Sequence, residues 1–425
     1  MSRSVESAVG GKRPQHVAVV GAGMVGLSTA WFLAERGVRV TVLEAKQIAA
    51  GASWGNAGYL TPSLTTPLPE PSVIRYGVRA MVSPSSPVYV PLTANPQLLR
   101  FLLGFLRNST ARRWGKAMRA YLPVNRRALE AFDTMLEAGV QAQVHDTEPL
   151  LACFSDDTAR EELVHEFALF REMGQQVDYE LLTGDQARQA EPALSERTGA
   201  AIRVHGQRYI NPPQFVEALA EAVQQRDVDI RQGVAVTALH DVGERGVVVV
   251  TSEHEPLRFD AVVAANGAHL TDLAKRFGVR QPVQAGRGYS FSVPAEQVPG
   301  GPLYFPAHRV ACTPLGDRLR VAGMMEFRKP DAPLDQRRVD AIVDAVRPLF
   351  TGVDLDDRKD PWVGSRPVTP DGLPLIGATD SPRVFAAGGH GMWGIVLGPL
   401  TGQLLAERIT TGLTPPELTP FDPLR

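Results

Sequence analysis

Cysteine is nearly missing from this chain: Cys153 and Cys312 are the only two among 425 residues. No CxxC and no Cys/His ligand spacing occurs, which excludes a structural zinc site or a dithiol redox centre, and no metal site is expected. So few cysteines fit a reducing compartment. Long hydrophobic runs are missing too: no stretch reaches the ~18 apolar residues of a spanning helix. The polar segment Met1–Gln15 lacks the apolar centre of a secretory signal and reads as a disordered leader. A cytoplasmic location is the expectation from these absences. An excess of one charge is also lacking, because 44 basic residues face 46 acidic ones for a net charge of −2. No nucleic-acid partner is expected from that balance. The length suits two or three domains of about 100–200 residues each.

What is present is ordered from the start. Val17–Val20 is a short apolar run ending at Gly21. Met24, Leu27, Trp31 and Leu33-Ala34 then recur at helical spacing, and Gly37 suits the residue after a helix end. Val38–Leu43 is rich in β-branched residues and stops at Glu44, which completes a strand–helix–strand unit. Gly21-Ala22-Gly23-Met24-Val25-Gly26 is a GxGxxG placed between that strand and that helix. The first glycine permits the tight turn, the second lets backbone approach a pyrophosphate, and the third lets helix pack on strand. The helix N-terminus offers N–H donors to the phosphates. Glu44, 23 residues after Gly21, stands where an acid takes ribose hydroxyls. The bland alternative is a tight turn without a nucleotide.

Further along, eight prolines between Pro62 and Pro96 exclude long regular elements. Gln97–Asn108 reads as a short, very apolar helix, and Asn125–Ala138 as a second. A helix at Pro213–Gln225, strands at Val234–Leu239, Gly246–Thr251 and Ala261–Ala265, a strand at Val384–Ala387 and a helix at Pro399–Ile409 continue the α/β pattern. Pro399 suits the first turn of its helix. Alternating runs at Tyr289–Val293 and Arg318–Met324 predict antiparallel strands. The expected architecture is α/β: a discontinuous Rossmann-type nucleotide domain (16–62, 199–277 and 362–425) with an α+β substrate domain (63–198 and 278–361) built on a mostly antiparallel sheet.

The fingerprint alone does not separate NAD from FAD. The small-residue loop Gly51–Gly58 would let an extended pyrophosphate–ribityl chain run close to backbone; a plain flexible loop is the alternative. The second glycine cluster, Gly388–Gly394, leads into a helix. Its N–H groups could face a flavin carbonyl and stabilise negative charge on the reduced ring. His390 within it reads more readily as structural than catalytic.

Six separated segments carry a family resemblance: the N-terminal fingerprint, Asn56-Ala57-Gly58, Arg287–Ser290, Arg320–Phe327, Gly364–Gly372 and Gly389-His390-Gly391. Together they resemble the D-amino-acid dehydrogenase group of the D-amino-acid oxidase/glycine oxidase/sarcosine oxidase superfamily. Ser53–Gly58 and Arg318–Phe327 are similar to the corresponding stretches of glyphosate oxidoreductase. The resemblance spans nearly all of Val17–Ile409. It implies an FAD domain with a sheet-based substrate domain over the flavin face. The position of the flavin-linking cysteine of sarcosine oxidases is Gly364 here, which implies noncovalent FAD. Carried over residue by residue, the cofactor positions are Gly21, Gly23, Met24, Val25, Gly26, Glu44, Ala45, Ser53, Asn56, Ala57 and Gly58, with Val236, Ala265 and Gly267 near adenine and pyrophosphate. Gly389, Gly391, Met392, Trp393, Gly394 and Ile395 complete them near the ring.

The resemblance makes Arg366, in its Gly-x-Arg-Pro setting, the clamp for a substrate carboxylate, a task that suits the planar guanidinium fork; a structural ion pair is the alternative. Tyr289, His308, Glu326 and His390 are candidates for the pocket. A substrate-contacting tyrosine of glycine oxidase is matched by Ala311, so the substrate does not carry over. The implied chemistry is hydride transfer from Cα–H of an amine or D-amino acid to flavin N5, then hydrolysis of the imine. Oxygen, a quinone or a carrier protein remains open as electron acceptor. The alternatives are an oxidase of N-alkyl glycines such as sarcosine or glyphosate-like amines, a flavin monooxygenase (disfavoured because no second GxGxxG exists for NAD(P)H), and a flavin subunit inactive by itself. The apolar Leu98–Leu106 segment, followed by Arg107, Arg112 and Arg113, would suit peripheral contact at the inner face of a membrane; a buried helix is the alternative.

Overall fold

The computed structural model describes residues 13–71, 86–91, 95–147 and 150–425. Most of the expected leader and much of the proline-rich 62–96 stretch lie outside these residues.

Two large sheets organise the chain. The first has six strands in the order Asp229–Gln232, Arg39–Glu44, His16–Val20, Ala261–Ala264, Val384–Gly388 and Leu375–Ala378. The first five pair in parallel, and only Leu375–Ala378 runs against its neighbour. From the central strand His16–Val20 the chain moves outward to Arg39–Glu44 and later returns to Ala261–Ala264 on the other side. That reversal opens a crevice at the carboxyl ends of the strands, where doubly wound sheets bind ligands. Helix Met24–Glu35 covers one face and is almost wholly apolar inward, with Met24, Leu27, Trp31, Phe32 and Leu33 buried. Helix Gly394–Thr411 packs on it. A methyl added at Gly402 would sit 2.6 Å from the Ser28 carbonyl carbon, so only glycine allows this approach. A three-stranded antiparallel sheet, Val236–Asp241, Val247–Thr251 and Leu257–Phe259, closes the other face.

The second sheet has nine strands and is mostly antiparallel. Its central order is Lys359–Val368, Gln284–Pro294, Arg318–Phe327, Val310–Leu315 and Leu303–Phe305, continued by Leu150–Phe154, Ala200–Val204 and Tyr179–Thr183. The short strand Val88–Tyr89 pairs beside Arg318–Phe327. One face packs on helix Gln336–Val346, and the other looks toward the loop that follows Glu44.

Several sequence expectations are corrected here. Ala200–Val204 and Lys359–Val368 are ladder members of the second sheet, so the boundaries at 199 and 362 cut through it. Strand pairing is nonlocal and leaves no mark in the strand's own sequence. The helix expected at Asn125–Ala138 is the end of a 27-residue helix, Ala111–Glu137, with Pro123 inside it. Pro399 likewise lies inside helix Gly394–Thr411 rather than in its first turn. Both prolines interrupt one intrahelical hydrogen bond, and dense burial of both helices offsets the loss: Tyr121, Ala128 and Phe132 of one and Val396, Leu400 and Leu404 of the other share a core.

Candidate active site

The dinucleotide cradle is built from short-range constraints. Gly21 has φ +106°, and a methyl on Gly26 would lie 1.9 Å from the Gly21 carbonyl oxygen. Gly23 has no side chain with which to cap the helix, and the Ser53 hydroxyl takes that role by accepting from the Met24 N–H at 3.1 Å. The following N–H groups of the first turn have no intrahelical acceptor. Glu44 is held at the crevice mouth by the N–H groups of Ala22 (2.8 Å) and Lys46 (2.9 Å). Ala45 is exposed beside it. Val236 opens its strand at a register irregularity, and the Ala265 N–H donates to Val20. Gly267, at φ +58°, would project a side chain into open space.

Loop 53–58 is gripped by three residues on adjacent strands of the second sheet. Ser290 donates to the Gly55 carbonyl (2.8 Å), Arg320 to that of Trp54 (3.2 Å) and Thr313 to that of Ala57 (2.5 Å). Asn56 turns the loop by accepting from the Gly58 N–H at 2.9 Å. Glycines on the sheet face above the loop and within the loop make room for Arg366 and Trp362. A methyl on Gly288 would lie 2.2 Å from an Arg366 guanidinium nitrogen, and one on Gly55 or Gly364 would lie 2.0 Å from the Trp362 indole. Arg366 donates to the Met324 carbonyl at 2.7 Å, and no carboxylate pairs with it among the described residues. Loss of water around the guanidinium pulls its pKa down to about 10. It therefore stays cationic at neutral pH, held at low dielectric and without a counter-ion.

The glycine turn near the C-terminus joins the Arg366 strand, because the Gly391 N–H donates to the Pro367 carbonyl (2.8 Å). Trp393 anchors the turn through its indole N–H to the Thr66 carbonyl (2.7 Å). Helix Gly394–Thr411 starts there with no side-chain cap, so its first N–H groups are open donors. The arrangement brings together two helix N-termini with open first-turn N–H groups and a cation that no carboxylate pairs with among the described residues. Its donors and its glycine-lined walls fit an FAD.

The family model described as FAD dependent oxidoreductase matches residues 16–408. The chain belongs to that family. It is 32% identical over 408 residues to a D-amino acid dehydrogenase from Methylobacterium radiotolerans, covering 93% of this chain and 96% of the relative. It is 29% identical over 400 residues to a D-amino acid dehydrogenase from Cereibacter sphaeroides, covering 92% and 91%. Among solved structures, glycine oxidase from Geobacillus kaustophilus superposes with a TM-score of 0.72 at 23% identity, covering 97% and 99% of the two chains. The FAD-bound L-alpha-glycerophosphate oxidase from Mycoplasma pneumoniae does so with a TM-score of 0.72 at 17% identity, covering 93% and 94%.

In this FAD-dependent oxidoreductase the remaining candidates fall in different places. His390 is 2% exposed, its Nε2 lies 2.9 Å from the Thr401 hydroxyl, and burial pulls its pKa down to about 4. A neutral ring locked onto a buried helix ties the turn down and is no proton carrier near neutral pH. Met392 packs toward the Phe101 cluster, and Ile395 is buried in the core.

Tyr289 and Glu326 do not line the crevice. Both are 0% exposed on the opposite face of the sheet. The Tyr289 hydroxyl donates to Glu326 at 2.6 Å, and burial together with Glu326 pushes the phenol pKa up. The same carboxylate meets Arg328 (3.0 Å), Arg338 (3.5 Å) and Arg287 (3.8 Å). His308 ends the turn before Val310 and is half-buried, with its pKa lowered by that burial.

Two residues were missed in the sequence. Arg320 is 3% exposed, lies over the Trp54 ring at 5.0 Å, and has its pKa pulled down to about 10 by burial; its motif pointed to the strand but not to the side chain. Tyr304 stands directly opposite Ala311 in the ladder, one strand away from the expected polar contact. A separate cleft of about 1600 Å³ borders the crevice near His269 and carries Arg100, Lys275, Arg280 and Lys329. None of the fingerprint glycines lines it, so it is not the dinucleotide site.

Proposed function

We propose that the chain oxidises the Cα–N bond of a D-amino acid or a closely related small amino-carboxylate. The observation that carries this reading is Arg366, a buried cation with no carboxylate partner among the described residues, standing opposite Gly286 on the face of the sheet that meets loop 53–58. A substrate carboxylate supplies the missing counter-ion through a charge-assisted fork. The Met324 carbonyl holds the guanidinium in one orientation, so the bound Cα–H points one way. The Trp362 indole, lying over Gly55 and Gly364, shields the crevice from water. FAD, when bound, supplies the hydride acceptor, and the protein's part is orientation and charge. The imine product hydrolyses in water to a keto acid and ammonia. Gly364 offers no nucleophile, which supports noncovalent attachment. The names of both sequence relatives support the D-amino acid.

Steady-state assay with D- and L-alanine and a dye acceptor tests the reading. Arg366→Met is expected to lose roughly 1.5–3 kcal/mol of carboxylate contact, about tenfold to more than a hundredfold in kcat/KM. Equal rates with D-alanine for wild type and variant would overturn it.

We also propose contact with an anionic bilayer, on a separate observation. Helix Pro96–Asn108 buries Leu98, Phe101 and Phe105 but exposes Leu99, Leu103 and Leu106, at 51%, 69% and 42%. One face is buried and the other is an exposed apolar ridge. From Pro71 to Leu129 the sequence holds ten Arg and Lys residues and no Asp or Glu, in a chain of net charge −2. An apolar ridge flanked by cations suits an anionic lipid surface, where each nearby cation adds about 1 kcal/mol. A lipid-soluble quinone would then be the electron acceptor. No helix among the described residues is long and apolar enough to cross a membrane. Co-flotation with phosphatidylglycerol vesicles but not phosphatidylcholine vesicles is expected, with loss on replacing the three leucines by glutamine. Wild-type protein left at the bottom of both gradients would sink the idea.

A further inference from the structure

The strand Arg318–Phe327 breaks its alternation at one point. Ala322 pairs with Ser290 on the crevice face and Gly323 with Tyr289 on the far face, yet Glu326, three residues after Gly323, pairs with Arg287 on the far face as well. Two residues, Met324 and Met325, stand against the single Gly288, which makes a β-bulge. Met324 has φ +66°, a left-handed conformation that is strained for a non-glycine residue. Such strain persists only where the surroundings over-determine it. The bulge has one visible consequence: it turns the Met324 carbonyl toward Arg366, which donates to it at 2.7 Å.

The surroundings that hold the bulge lie behind the sheet. Tyr289 stands opposite Gly323, but its hydroxyl reaches past the bulge to Glu326 at 2.6 Å. Arg287 approaches the same carboxylate from the other side of Gly288. Arg338, from helix Gln336–Val346, adds a third tie and stacks over Tyr89 at 4.0 Å. Tyr89 pairs with Glu326 in the ladder, and the Met325 N–H donates to Pro87 at 2.7 Å. The bulge is pinned from both neighbouring strands and from the helix behind. Any regular ladder would move Glu326 to the crevice face and strand three arginines without it.

We infer that the buried Tyr289–Glu326–Arg287 cluster is a positioning device for substrate: by clamping the Met324 bulge from behind the sheet, it aims Arg366 at the carboxylate. This rests on the reading of Arg366 as the carboxylate clamp. Tyr289 and Glu326 act through Met324 and touch no substrate.

The test titrates purified holoenzyme with acetate, and with acetamide as the neutral control, following the flavin absorption band. Tyr289→Phe removes only the bond that spans the bulge and keeps the ion pairs behind it. It is expected to weaken acetate about tenfold and leave acetamide binding and flavin content unchanged. Adding Met324→Gly, which takes φ +66° without strain, is expected to restore acetate binding to within about threefold. Acetate binding unchanged by Tyr289→Phe, or a loss that Met324→Gly does not repair, would overturn the inference. Arg366→Lys distinguishes this from failure of the clamp: if that variant binds acetate as wild type does, the clamp reading itself is wrong.

Discussion

Buried His390 makes a quantitative prediction about pH and stability. Its ring is 2% exposed and bonded to Thr401, and its pKa falls from 6.5 to about 4 on folding because burial disfavours the imidazolium. Below pH 6.5 the unfolded chain takes up a proton that the folded chain refuses, so stability is full above that pH and is lost as pH falls toward 4. The linkage amounts to about 2 kcal/mol at pH 5 and about 3 kcal/mol at pH 4. Carboxylates elsewhere titrate in the same range, so the perturbation is His390→Gln, which keeps a hydrogen-bonding group near Thr401 but cannot take up the proton. Urea denaturation at pH 7 and pH 5, followed by tryptophan fluorescence, gives the free energies. Wild type should lose about 2 kcal/mol more than the variant between these two pH values. Identical losses would refute the assignment of a neutral, buried His390.

The cofactor cradle supports two further predictions. Gly26→Ala places a methyl 1.9 Å from the Gly21 carbonyl oxygen and should yield folded protein that purifies colourless; retention of a full flavin complement would contradict the packing role. Ser53→Ala removes the side-chain acceptor at the Met24 N–H, a cap contact of about 1 kcal/mol, and should raise the Kd for FAD about fivefold by fluorescence titration. An unchanged Kd would show that the cap does not shape the phosphate end of the crevice.

The parts of this site that were legible in the sequence are those set by local sterics. The GxGxxG turn, its glutamate and the Gly-x-Arg-Pro motif each depend on a few adjacent residues: Gly21 takes a positive φ, Gly26 meets the Gly21 carbonyl oxygen, and Glu44 accepts from Ala22 and Lys46. The face occupied by Tyr289 and Glu326 was not legible. Simple alternation from Ala322 puts Glu326 on the crevice side, and the bulge at Met324 reverses it. Nothing within Arg318–Phe327 announces that bulge, because the residues that pin it come from other strands and from a helix. The long helix was half-hidden for a related reason. Pro123 reads as a break locally, yet the core around Tyr121 and Phe132 carries the helix through it. Ala200–Val204 was read with the wrong sheet because its partners, Leu150–Phe154 and Tyr179–Thr183, are chosen by packing rather than by its own composition.

Anaerobic reduction of the bound flavin tests the central claim most directly. Purified holoenzyme is mixed under argon with D-amino acids, their L-enantiomers and N-alkyl glycines, and the visible flavin band is followed over time. The account predicts rapid bleaching by D-amino acids, little or none by L-enantiomers, and a bleaching rate that falls with Arg366→Met. A yellow protein that no D-amino acid reduces would leave the FAD-binding fold in place and contradict the proposed reaction.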